Sequence, residues 1–145
     1  MLVKKIALIG LFSMSMSLPL FAQASDLTTT NCTKADSTAV INGATCSRWL
    51  PGGVGITPPD CKPHNVSESI VNNICKFTGD PENCVADIYN TSDCSGAVIA
   101  TVHFSITTGI DPQKTQVYDT RYTLDGTGFN ITLSGGPAAT LNTKN

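Results

Sequence analysis

Residues 84–107 read CVADIYNTSDCSGAVIATVHFSIT, and their pattern decides the fold class. Val98, Ala100, Val102, Phe104 and Ile106 alternate with Ile99, Thr101, His103, Ser105 and Thr107. That is the period-two pattern of a strand with one strongly apolar face. Val85–Thr91 before it is rich in strand formers, and Asn90–Gly96 between the two is turn chemistry. Gly109 and Asp111-Pro112 end the second run. Further on, Val117–Leu124 predicts a strand with Tyr118, Tyr122 and Leu124 on one face. Asp125-Gly126-Thr127-Gly128 reads as a hairpin turn into Phe129–Leu133, where Phe129, Ile131 and Leu133 alternate with polar residues.

Working back from Cys84, the pattern weakens. Val66–Phe77 is ambiguous. Val66, Ile70, Ile74 and Phe77 make a helical stripe, with Ser67 as an N-cap and Glu68 in the first turn. Asn72-Asn73 are weak helix formers, however, and the flanking cysteine loops make a strand equally reasonable; a strand is the expectation here. Arg48–Lys62 holds three glycines and three prolines and reads as a loop. Ser37–Ile41 predicts a short strand, and residues 25–36 a polar lead-in. Five or six short strands without βαβ alternation predict a mainly β fold, a small antiparallel β-sandwich or barrel.

The first residues form a secretory leader. Lys4-Lys5 are followed by an apolar run, Ile6–Phe12, a softer stretch broken by Pro19, and a small-residue end, Ala22-Gln23-Ala24. The run is too short to span a bilayer, and no second one follows, so no stable membrane insertion is expected. The expected organisation is a signal peptide at 1–24, a single β domain at 25–137 and a loose tail at 138–145. Losing both leader lysines makes the net charge two units more negative than the −2 of the whole chain. There is no basic cluster, which argues against nucleic acid as a partner.

All six cysteines lie beyond the leader. An even set in an exported chain reads as three disulfides. The closest pair, Cys75 and Cys84, is spaced too widely for a zinc knuckle, so no metal is expected. Six cysteines allow 15 pairings, and sequence does not choose among them. The expected set is Cys75–Cys84 across a turn, Cys46–Cys61 around the Pro/Gly-rich loop, and Cys32–Cys94.

No catalytic motif, phosphate loop or cofactor fingerprint is present, and none is expected to be needed. His64 lies in the loop after Cys61, where a site residue or a solvated histidine are both plausible. His103 falls on the polar face of its strand and reads as a surface histidine. Eleven acidic residues supply carboxylate pairs by chance. Arg48-Trp49 is the strongest surface candidate, because aromatics and arginine concentrate at binding hot spots. The alternative is that Trp49, the single tryptophan, plugs the edge of a small core. Four Asn-x-Ser/Thr triplets, at Asn31, Asn65, Asn90 and Asn130, read as products of a Thr- and Asn-rich surface rather than glycan acceptors.

Asn83–Tyr89, Asn90–Gly96, Ala100–Val102 and Thr108–Ile110 resemble small exported proteins of Legionella, over residues 75–135. The resemblance implies a type II secretion substrate acting towards host cells or the surroundings. It transfers no active-site residue. The Lys-Lys leader with its Ala-Gln-Ala end has a Gram-negative style that agrees with it.

These observations together predict an exported, disulfide-stapled β domain that binds a protein or glycan through Arg48, Trp49 and His64. A small secreted hydrolase using His64 and scattered carboxylates is the first alternative. A protease-inhibitor-like scaffold presenting the Arg48–Pro59 loop is the second. The oligomeric state is not legible in the sequence.

Overall fold

The computed structural model describes residues 25–137; the expected leader and tail lie outside them. Two sheets and one helix make a sandwich-like fold around a single apolar core. The first sheet runs in the order β4 (Pro63–Val66), β1 (Leu27–Cys32), β10 (Asn130–Gly135), β9 (Tyr122–Thr127). The second runs β3 (Thr45–Cys46), β2 (Thr38–Ile41), β5 (Cys84–Tyr89), β6 (Ala100–Ser105), β7 (Gly109–Ile110), with β8 (Gln116–Val117) also on β6. The helix, α1, spans Glu68–Thr78.

The central pair β5–β6 is the one the sequence shows most plainly. The strands pair antiparallel, with Ala86 opposite Val102 and Cys84 opposite Phe104. Val102 is 1 % exposed, and Ala86, Ile88, Ala100 and Phe104 are buried with it. Each large side chain buried this way stabilises the fold by roughly 1.5–3 kcal/mol. The opposite face of β6 is also covered at its ends. Thr101 and Ser105 are buried, and Thr101 donates to Asp87. Only His103 stays partly exposed.

Three expectations about elements are corrected. Residues 25–36 are not a polar lead-in, because β1 is an inner strand of the first sheet. Its threonines are β-branched and suit a pleated surface as well as apolar residues do. β1 lies antiparallel to β4 but parallel to β10, so the sheet is not wholly antiparallel. Second, the 66–77 stretch is not a strand but ends β4 and then forms α1. Val71 and Cys75 face the core. The helix starts at Ser67, whose side chain makes no cap hydrogen bond. Asp26 supplies it instead, accepting from the Glu68 amide at 2.8 Å. A cap from a residue this distant outweighs the local cost of Asn72-Asn73.

Third, the final hairpin turns two residues later than expected, at Gly128-Phe129, with Gly128 in the left-handed region. Asp125 and Gly126 continue β9. Gly126 serves close packing: a Cβ there would lie 3.1 Å from the Ile110 side chain of the other sheet. Val117–Leu124 correspondingly splits into β8 and the start of β9.

The bridges are Cys75–Cys84, Cys32–Cys61 and Cys46–Cys94. The expected Cys46–Cys61 and Cys32–Cys94 pairs are therefore exchanged, and strand register explains why. β4 lies beside β1 with Thr30 opposite Pro63, and continuing that ladder two steps sets Cys32 against Cys61. The Cys61 amide already donates to the Asn31 carbonyl at 2.9 Å. β3 follows β2, and the turn after β5 folds back on β2, where the Cys94 amide donates to Thr38 Oγ1 at 3.0 Å. Those two contacts bring Cys46 to Cys94. Asn31 is 1 % exposed, which removes it as a glycan acceptor.

Candidate functional site

Arg48 and Trp49 sit on a 3-10 turn, Ser47–Trp49, immediately after Cys46. Ser47 builds the base of this loop. Its hydroxyl donates to the Gly55 carbonyl at 2.5 Å and accepts from the Ala39 amide at 2.9 Å. The loop closes so tightly that a Cβ on Gly55 would stand 1.8 Å from the Ser47 carbonyl oxygen. Leu50 donates back to the Ser47 carbonyl, and Pro51–Gly53 forms a second 3-10 turn. These bonds hold the base of the turn that carries Arg48 and Trp49.

Trp49 is 72 % exposed, so it does not plug the core. The Arg48 guanidinium carbon lies 4.7 Å from its ring centroid, a cation–π geometry that fixes one face of the indole and leaves the other to solvent. The Cys46–Cys94 bridge places the Asp93 turn alongside. The Ser95 hydroxyl and amide, and then the Arg48 charge, hold the Asp93 carboxyl below its ordinary range.

His64 is not part of this cluster. It lies on β4, an edge of the first sheet, whereas the Trp49 turn follows β3, an edge of the second. No hydrogen bond or ion pair joins them among the described residues. His64 Nε2 meets Asp60 instead, at 2.9 Å. The Lys62 amide, and then the His64 ring, keep the Asp60 carboxyl low. The hydrolase reading asks for two carboxylates with His64 in one cleft; this pair supplies one. No group of three or more His, Cys, Asp or Glu among the described residues is placed to hold a metal ion.

A polar cleft that the sequence did not reveal lies between Glu82, His103, Ser105, Asp111 and Lys114. Ser105 and Thr107 both donate hydroxyl hydrogen bonds to the Glu82 carboxylate. Ser105 Oγ also accepts from the Thr107 and Thr108 amides. Ser105 thus braces the Glu82 turn, and His103 turns to Asn83 at 3.4 Å rather than to Ser105. Hydrogen bonds from Ser105, and then Thr107, lower the Glu82 pKa. A carboxylate lowered on folding stabilises above its unfolded value and loses that contribution as pH falls through the folded one. The melting-temperature gap between wild type and Glu82→Gln is therefore expected at pH 7 and should close as pH drops below 4.5, the ordinary value. A gap independent of pH would contradict this role.

Two sheets, three disulfides and a bare aromatic turn define a small disulfide-stapled β protein. Its family is equally clear. The family model for the type II secretion system (T2SS) substrate NttC matches residues 1–144, and the chain belongs to that family. The crystal structure of the Legionella pneumophila type II secretion system substrate NttC has the same fold, with a TM-score of 0.61 at 23 % identity over 77 % of this chain and 98 % of that one. No curated protein matches the chain.

Proposed function

We propose that this exported protein is a binding module acting towards host cells or the surroundings, with the Arg48–Trp49 turn as its contact surface for a protein or glycan. In this reading residues 1–24 are a cleaved leader, the 25–137 domain is the working unit, and the route is type II secretion. The carrying observation is Trp49 itself. A large indole stands 72 % exposed on a bridge-anchored turn, with Arg48 over one face and little contribution to the core. Tryptophan and arginine together are typical of hot spots, and a free indole face also stacks on sugars.

A pull-down of host and envelope components with the oxidised protein tests this, with Trp49→Ala as the comparison. Wild type should capture a specific component, and the variant should bind it at least about tenfold more weakly. Identical capture by the two proteins, or no specific capture by either, would end the Trp49 assignment. Because Trp49 is exposed, both proteins should melt at nearly the same temperature.

A further inference from the structure

Helix α1 carries two apolar stripes. Val71 and Cys75 are buried in the core. Ile70 and Ile74 are only half-buried, and Phe77 is 91 % exposed. These three line an open groove of about 660 Å³ against Leu50 and Pro51. Behind it, between the sheets, lies an apolar cavity of about 90 Å³, walled by Ile88 and Leu133 among others. Leu50 and Ile74 line both spaces, so these two side chains form the partition between groove and cavity. Lys76 is the one charged residue lining the groove. It makes no ion pair among the described residues.

We propose that groove and cavity together bind a single-chain anionic amphiphile, a fatty acid or its close chemical equivalent. The carboxylate would sit on Lys76. The chain would lie along Ile70, Phe77 and Pro51, and its end would pass between Leu50 and Ile74 into the interior. Three observations point this way. An apolar cavity stays dry and takes apolar guests; a cavity of roughly 150 Å³ accepts benzene, so this one suits a chain end rather than a ring. The groove supplies the length that the cavity lacks. One cation and no anion among the described residues lining the groove select a negative head. A bilayer surface would use Phe77 but not the interior cavity. Trp49 does not line the groove, so the proposal stands apart from the partner-binding reading.

The test is a methyl-NMR titration of the disulfide-bonded protein with sodium decanoate below its micellar concentration. Saturable one-to-one binding is expected, with shifts at Ile70 and Ile74 and also at the interior methyls of Ile88 and Leu133. Lys76→Glu, an exposed substitution whose own spectrum reports its fold, should weaken binding by about fivefold or more, the scale of one exposed charge contact. Decyltrimethylammonium, with the same tail and the opposite head, should bind wild type more weakly by a similar factor. Absence of saturation would overturn the proposal, as would silence of Ile88 and Leu133. Equal affinity for the two head groups, or no loss in Lys76→Glu, would show mere adsorption of apolar tails and also overturn it. Sedimentation with phosphatidylglycerol vesicles without decanoate binding would replace the single-chain ligand with a bilayer surface.

Discussion

Replacing Cys75 and Cys84 together by alanine should destabilise the protein by about 4–5 kcal/mol, although this bridge closes the shortest loop. Chain entropy alone ranks the bridges by span. Cys46–Cys94 spans 48 residues, Cys32–Cys61 spans 29 and Cys75–Cys84 only 9. On that basis their removal costs about 4, 3.6 and 2.6 kcal/mol. Burial changes the order. Cys75 and Cys84 are both 0 % exposed, whereas the other four cysteines retain some exposure. Two sulfurs deleted from a packed core leave voids worth about 1 kcal/mol each. The bridge also joins α1 to β5. Urea unfolding of the three double-alanine variants checks the ranking. A Cys75/Cys84 variant more stable than the Cys46/Cys94 one would show that loop entropy, not packing, governs this protein.

Asn31→Ala should cost about 3–4 kcal/mol, a drop of roughly 10–15 °C in melting temperature. The side chain uses all its hydrogen-bonding capacity. Its amide donates to the Ala35 and Thr57 carbonyls at 2.8 and 2.9 Å. Its oxygen accepts from the Thr33 amide at 3.0 Å and the Thr33 hydroxyl at 2.7 Å. Alanine deletes all four bonds and leaves the buried Thr33 amide without a partner, while the Ala35 and Thr57 carbonyls keep other donors. Asn31→Asp is the sharper comparison. It keeps the shape but turns a double donor into an acceptor facing two carbonyls, and it buries a charge. It should be at least as damaging as alanine at pH 7 and should recover partly in acid. A melting temperature within about 3 °C of wild type for either variant would mean that water replaces the amide.

How much of this was legible beforehand depends on whether a signal is local. The alternation from Val98 to Ile106 is a local signal, and β6 lies where it predicts. The helix signal was local too, in the Ile70, Ile74, Phe77 spacing, but Asn72-Asn73 obscured it. Its true cap, Asp26, is distant in sequence. β1 was hidden because Leu-Thr-Thr-Thr-Asn-Cys lacks an apolar face; only its β-branched content hinted at a strand. The disulfide exchange follows from strand register, which a list of spacings does not contain. For the site, the residues Arg48 and Trp49 were readable, and their exposure was not. Phe77 was placed on an apolar stripe that the fold then turned outward. The Glu82–Ser105–Thr107 network had no sequence signature, because it joins a turn to the end of a strand.

The parallel ladder between β1 and β10 has a temporal meaning. β1, the first strand of the domain, acquires one of its two neighbours only when nearly the whole domain has been made. Until then its polar ladder edge must stay solvated, which threonines and asparagine do at little aggregation risk. Such high contact order makes closure of the first sheet a late and slow event. Oxidation of Cys32 and Cys61 then seals β1 to its other neighbour.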